Sequence, residues 1–467
     1  MIFTELRFFV FFAAVWSTYW SFLSTPSGRK LWLLCSSYLF YAAWDARFLA
    51  LIMGSTVVDY FAGRAIGNSE SESVRRGGLW ASVIVNLGAL AFFKYAGFFL
   101  DSAVDLHTLL GFTAHRPTLN IILPVGISFY TFQTLSYTID IYRRRLEPVD
   151  DFLDFALFVS FFPQLVAGPI VRASTFLPQL QTPKTWSAID VRGALWLFSI
   201  GWFKKSVIAD NAATLSDTFY AAPVAYDALS AWLATLLYAV QIYADFSGYT
   251  DMAIGCAALL GYNLTLNFDA PYLSADIQQF WRRWHISLST WLRDYLYISL
   301  GGSRRGQART YVNLMVTMLL GGLWHGASWN FVIWGFLHGL ALIVHKGWQG
   351  AQRRFGAPEL PQILGIALTF AWVCMAWVFF RATDLSDAIT TVGIMTGFAS
   401  GGSSVLPMRW WLVVLFAGTV HIAYRAWVPK DWYRRSELGF GLALGVVISA
   451  TLSWMIPTAR PFVYFQF

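Results

Sequence analysis

Apolar stretches long enough to cross a lipid bilayer recur along this whole chain, and they restrict it to one kind of fold. Backbone at membrane depth finds no water to bond, so only helices or a closed barrel satisfy its N–H and C=O groups. The stretches lie near 6–24, 31–45, 47–63, 79–100, 121–139, 152–170, 193–209, 228–246, 250–267, 311–323, 328–345, 362–380, 410–427 and 438–456. A crossing needs roughly 17–25 helical residues, so the shorter stretches are expected to re-enter or to tuck inside a bundle. The fold class is therefore all-α, a polytopic integral membrane protein of about 11–14 transmembrane or re-entrant helices. Only 13% of residues are charged, against about 25% in soluble domains. No repeat or soluble module interrupts the pattern, so residues 1–467 read as a single membrane-embedded domain. The first stretch lacks an Ala-x-Ala cleavage pattern and is expected to be retained.

Charge orients the segments. Arg and Lys cluster at 29–30, 64–76, 143–145, 282–309, 346–354 and 425–435, whereas loop 101–120 carries Asp101 and Asp105 with one Arg. The positive-inside rule places the Arg-rich loops in the cytoplasm and both loop 101–120 and the tail from Pro461 outside. Between 152 and 281 the alternation assigns no direction. The net charge of +7 suits loops facing anionic membrane lipid and does not call for nucleic acid. Cys35, Cys256 and Cys374 are far apart in apolar surroundings, as buried packing thiols would be. No metal-ligand spacing is present.

One histidine stands out. His325 lies in Gly-Gly-Leu-Trp-His-Gly-Ala-Ser-Trp-Asn at 321–330, between two apolar segments. Counting helical rise from the Arg-rich loop puts the imidazole roughly 20 Å deep, past the middle of a core about 30 Å thick. An ionisable group there marks a pathway or a reaction centre, although a histidine tying two helices together is a cheap alternative. His338, on the returning segment, is expected to be a polar packing residue.

Three other constellations carry polar groups. Residues 276–295 alternate as an amphipathic helix, with Trp281, Trp284, His285, Leu288, Trp291 and Tyr295 on one face. Arg282 and Arg293 lie on another. An interfacial anchor explains the Trp and Arg residues but not His285, which is a candidate relay or orienting group. Arg282 and Arg283, with Arg304, Arg305 and Arg309, form a cationic patch suited to the phosphates of an acyl donor or to lipid headgroups. Asp245, Ser247 and Asp251 in 241–251 suggest a broken helix lining a polar cavity, with helix capping as the plainer reading. Hydroxyls in 123–137 and the Pro/Gly break in 162–170 suit helix gluing and a re-entrant turn.

No phosphate-binding loop, His-Glu-x-x-His or Gly-x-Ser-x-Gly motif occurs. The chemistry on offer is a buried histidine base acting on another molecule's nucleophile.

The blocks Leu-Pro-Val-Gly-Ile-Ser-Phe-Tyr-Thr-Phe-Gln at 123–133, Phe-Pro-Gln-Leu-Val-Ala-Gly-Pro at 162–169 and Tyr-Ala-Asp-Phe-Ser-Gly-Tyr-Thr-Asp at 243–251 appear in that order. They continue through 280–297, Leu-Trp-His-Gly-Ala-Ser-Trp-Asn at 323–330 and Tyr-Phe-Gln-Phe at 464–467. Together they resemble the membrane-bound O-acyltransferase family in its AlgI/DltB branch, most closely the AlgI type. The resemblance implies a ring of helices around a thin central catalytic channel, with His325 as the essential histidine and His285 as the second one. It implies acyl transfer from a cytoplasmic thioester, acetyl-CoA or another, across a bacterial inner membrane. The acceptor would be an exopolysaccharide such as alginate or cellulose, or a periplasmic or membrane-anchored partner transferase.

In that expectation Trp324, Asn330, His285 or amides near Gly326 stabilise the oxyanion or orient His325. No permanently bound cofactor or metal is required. D-alanyl transfer to teichoic acid, or a transporter whose Asp245 and His325 relay protons, are the alternatives.

Overall fold

The computed structural model describes residues 1–113, 121–165, 168–356, 358–427, 431–457 and 460–465. Residues 114–120 of the acidic loop, 166–167 of the Pro/Gly break and 466–467 of the tail lie outside the described residues. Among the described residues every named element is helical. Six stretches are long and apolar enough to cross a membrane: Pro26–Asn68, Glu72–Leu109, Ala228–Leu259, Trp329–Phe355, Gln362–Arg381 and Glu437–Trp454. The protein is an all-α, multi-pass membrane protein.

Contacts divide the chain into two compact units, 1–191 with 256–265, and 192–255 with 266–467. The first carries α1 (Leu6–Ser21), α2 (Pro26–Asp45), α3 (Leu49–Asn68), α4 (Glu72–Leu90), α5 (Ala96–Leu109), α6 (Ile127–Tyr142), α7 (Phe152–Ser160), the single turn α8 (Phe162–Leu165) and α9 (Ala173–Gln181). Its α3, α4 and α6 meet around a buried carboxylate. Asp59 accepts from Ser82 Oγ at 2.5 Å and Asn86 Nδ2 at 2.8 Å, and Ser55 Oγ lies 3.3 Å away. Hydroxyls in this unit do glue helices, since a polar group in an apolar slab is stable only when bonded.

The second unit carries α10 (Val191–Phe203), α11 (Asp210–Tyr220), α12 (Ala228–Leu259), α13 (Ile277–Arg283), α14 (Ile286–Trp291), α15 (Gln307–His325), α16 (Trp329–Phe355), α17 (Gln362–Arg381), α18 (Leu385–Thr396), α19 (Trp411–Trp427) and α20 (Glu437–Trp454). A π-helical segment, Lys204–Ala209, joins α10 to α11. Arg192 pairs with Glu437 at the start of α20, and Asn211 Nδ2 donates to Trp454 O at its end. Residues 192–211, within the stretch whose direction charge counting left open, therefore run alongside α20 in the same direction.

Three sequence expectations change. Residues 228–246 and 250–267 are not two spans, and 241–251 is not a broken helix: α12 runs unbroken from Ala228 to Leu259. Gly248 is a contact residue, because a Cβ there would stand 2.7 Å from Gly201 O on α10. The predicted amphipathic helix at 276–295 is interrupted instead, between α13 and α14. Of the cysteines, Cys256 and Cys374 are buried but Cys35 is exposed.

The α15–α16 hairpin is packed backbone to backbone. A Cβ on Gly322 would lie 2.2 Å from Phe331 O, and one on Gly335 would lie 2.4 Å from Met318 O. Small residues at such crossings let membrane helices approach closely. Gly335→Val should therefore push α15 from α16, lowering stability by about 1–3 kcal/mol as overpacking does. Gly350→Ala, on the same helix with nothing within 4 Å, should be neutral or stabilising by up to about 1 kcal/mol. Thermal unfolding of the two detergent-solubilised variants measures both, and equal melting temperatures would refute the close-contact role of Gly335.

Candidate active site

His325 is the last residue of α15, and its burial leaves it 3% exposed. The turn that follows is short because two residues close it. Ser328 caps α16 by accepting from Asn330 N–H at 3.1 Å. Gly326 admits the Phe331 ring, whose nearest carbon would stand 2.1 Å from a Cβ at 326. The imidazole is thereby fixed in a wall of rings. Ring centroids lie at 4.9 Å for Trp334, 5.0 Å for Trp324, 5.2 Å for Phe380 and 5.4 Å for Tyr464.

His285 reaches the same shell by a different device. It sits between α13 and α14 with φ 42° and ψ 56°, a left-handed conformation. For a non-glycine residue this costs about 1–3 kcal/mol and persists only where the surroundings over-determine it. Here Asn267 does so: its backbone O accepts from Ile286 N–H at 2.9 Å, and its Oδ1 accepts from Ser287 N–H at 3.1 Å and Oγ at 2.7 Å. The kink turns a fully buried imidazole edge-on to Phe246 at 4.6 Å. Trp324 and Tyr464 lie 5.9 and 6.5 Å from it, so each of these rings touches both histidines.

His338 is a third imidazole of this region. One turn along α16 from Trp334, it shares that indole with His325 and packs on Trp281 at 5.0 Å. It is fully buried, and neither ring nitrogen has a hydrogen-bond partner among the described residues. The expected polar packing role is therefore not supported by any bond.

The other candidates have separate jobs. Trp324 is buried between the two histidines. Asn330 Nδ2 donates to Ala382 O at 3.0 Å, tying the start of α16 to the end of α17. Arg282 is exposed, and Arg283 Nη1 donates to Leu273 O at 3.2 Å, so these two flank the kink. Ser247 is buried on α12. Asp245, on the same helix, faces Lys205 Nζ at 2.8 Å and accepts Val463 N–H at 2.7 Å. Lys205 also meets Asp210 at 2.7 Å, and Lys204 meets Asp251 at 2.6 Å. Asp245 thus anchors the tail segment that brings Tyr464 to the histidines.

Sequence reasoning missed Tyr464, Trp334, Phe380 and Lys205. Tyr464 belongs to a terminal block seen in the sequence, but no spacing told that it returns to His325. Lys205 was hidden inside an apolar span, where the adjacent pair Lys204 and Lys205 in a segment rich in Trp and Phe was the available signal.

The sequence profile of the MBOAT, membrane-bound O-acyltransferase family, matches residues 142–383, which hold both His285 and His325. The chain is 42% identical over 431 residues to a probable alginate O-acetylase AlgI of Pseudomonas aeruginosa, covering 91% of this chain and 80% of the relative. It is 41% identical over 404 residues to a peptidoglycan O-acetyltransferase of Helicobacter pylori, covering 81% and 75%. A teichoic acid D-alanyltransferase of Bacillus subtilis is 27% identical over 280 residues, covering 57% and 70%. With the helical membrane fold and both histidines inside the matched region, this chain belongs to the membrane-bound O-acyltransferase family.

Proposed function

We propose that this membrane-bound O-acyltransferase moves an acetyl group from a cytoplasmic thioester, acetyl-CoA in the first instance, to a hydroxyl outside a bacterial inner membrane. The acceptor is an exopolysaccharide of the alginate or cellulose kind, or a periplasmic or membrane-anchored partner transferase. The observation that carries this reading is His325, a buried imidazole held at the end of α15 inside a wall of aromatic rings. Identity of 41–42% to O-acetyl-transferring relatives over most of the chain, against 27% to a D-alanyltransferase over little more than half, favours acetyl over D-alanyl. The same similarity favours a transferase over a transporter.

In this reading neutral His325 takes the proton of the acceptor hydroxyl as its oxygen attacks the thioester carbonyl. The tetrahedral intermediate then collapses, the C–S bond breaks, and the leaving thiolate takes the proton back from the imidazolium. General-base assistance of this kind contributes typically about 10²–10⁴-fold. The aromatic wall keeps water from the thioester and lowers the local dielectric, so each donor aimed at the developing oxyanion acts more strongly. His285 and the Trp324 indole, both against the His325 shell, are the candidates for that role. Asn330, bonded to Ala382, acts as a positioning residue that holds α16 to α17. Arg282 and Arg283, beside the kink, and the exposed Arg304, Arg305 and Arg309 suit the donor's phosphates.

His325→Ala should reduce acetylation by at least about 10²-fold without changing protein level, read by labelled acetyl on the polymer of membranes supplied with acetyl-CoA. Wild-type labelling in that variant would dismiss the base, and a strict need for a carrier protein would dismiss acetyl-CoA as donor.

His285→Gly separates structure from chemistry at the second histidine. Glycine relieves the left-handed strain, about 1 kcal/mol, but empties the space of a fully buried ring. The variant should therefore lose about 2–4 kcal/mol of stability and, where it still folds, should lose transfer. Transfer that survives in a folded His285→Gly variant would make His285 a spacer only.

A further inference from the structure

Outside the aromatic wall, the second unit holds a cavity of about 170 Å³ bounded by α11, α12, the π-helical segment, the end of α17 and the tail. Its charges are layered. At the rim, Asp217 joins Arg381 at 2.5 Å and Arg460 at 2.7 Å, and the three side chains are 22–39% exposed. At the floor, Lys205 joins Asp210 and Asp245, and those side chains are 2–7% exposed. Two guanidiniums against one carboxylate leave the rim positive, while one ammonium against two carboxylates leaves the floor negative.

The wall between them carries two further polar groups. Tyr238 is fully buried, and neither its hydroxyl nor the buried Gln241 Oε1 has a hydrogen-bond partner among the described residues. Buried polar atoms are nearly always bonded, so a pair of unbonded ones lining one cavity indicates that something else bonds them.

We infer that this funnel docks a carboxylate-bearing sugar unit of the acceptor glycan, with the carboxylate on Arg381 and Arg460 and the ring hydroxyls turned inward. The inference rests on the acyl-transfer reading above and adds the acceptor's site and charge. Guanidiniums hold carboxylates through paired N–H groups. Arg381 is already fixed by Asp217 and by the Tyr220 ring at 4.9 Å, and Arg460 also donates to Thr214 Oγ1 at 3.2 Å. Inward hydroxyls accept from Tyr238 Oη and donate to Gln241 Oε1, the two groups left unbonded, with the ion-paired floor beneath them.

The funnel is one residue away from the histidines along three separate strands of chain. Arg381, Asp245 and Val463 line it, while their neighbours Phe380 and Tyr464 pack on His325, and Phe246 on His285. A sugar seated there is within reach of the imidazoles once the 462–464 segment yields, and the Val463 N–H on Asp245 ties that segment to the floor.

The test is isothermal titration of the purified full-length chain in detergent with a hexamer of uronic acid and, separately, with cellohexaose. The hexauronate should bind and cellohexaose should bind at least tenfold more weakly. Arg460→Gln should weaken hexauronate at least tenfold, Arg460→Lys should restore part of that loss, and Tyr238→Phe should weaken it several-fold. His325→Ala should bind hexauronate as wild type does, although transfer is lost. Equal binding of the two hexamers, or hexauronate binding indifferent to both Arg460→Gln and Tyr238→Phe, overturns the proposal. No binding of either hexamer to a wild-type chain that still shows His325-dependent transfer also overturns it, and leaves the transfer reading standing.

Discussion

The close approach of α15 and α16 is the contact on which the rest of the second unit depends. With Gly322 against Phe331 O and Gly335 against Met318 O, two backbones meet where side chains would ordinarily separate them. That proximity makes the three-residue connection 326–328 possible, and the connection ends α15 at His325 with no loop in which the ring could wander. Trp334, one turn into α16, is then necessarily beside the imidazole. A side chain on a helix end held from both sides is more tightly positioned than one on a free loop.

The second imidazole arrives by strain where the first arrives by packing. The left-handed kink at His285 is held by the backbone and side chain of Asn267, and the cost is local while the orientation it produces is not. Had 276–295 continued as one helix, position 285 would point along the apolar face with Trp281 and Leu288. The kink releases it from that row and sets it against Phe246 and Trp324. Backbone outliers of this kind concentrate at functional sites because packing elsewhere sustains them.

Much of this was legible in the amino-acid sequence, and what was not has a physical reason. Hydropathy located the long apolar helices but not α9, α11 or α18, because apolar length is a direct requirement of the bilayer only for segments that cross it. It split α12 in two, since Asp245, Ser247, Gly248 and Asp251 look like a break when read by composition. In the structure Asp245 and Asp251 are neutralised by Lys205 and Lys204, and Gly248 faces Gly201, so the helix has no cause to end. Periodicity also made a continuous helix of 276–295, because a kink imposed by Asn267 leaves no mark on spacing. His325 was legible as one costly ionisable group between two apolar runs. Tyr464 was not, since a contact 139 residues away in the chain has no local signature.

The two polar systems of the second unit follow opposite rules, and the contrast bears on mechanism. Around Lys205 the charges are paired within hydrogen-bond distance, one ammonium to two carboxylates, and the Val463 N–H on Asp245 ties the tail to α12. Around His325 the shell is indoles, phenyls and a phenol. A carboxylate beside a histidine stabilises the imidazolium, which would raise its basicity but also hold the proton after attack. An aromatic shell does neither strongly. In the proposed mechanism the imidazolium formed there returns its proton to the departing thiolate. In that proposal one residue deprotonates an acceptor and reprotonates a leaving group within one catalytic cycle, while the ionic network holds the tail and α12.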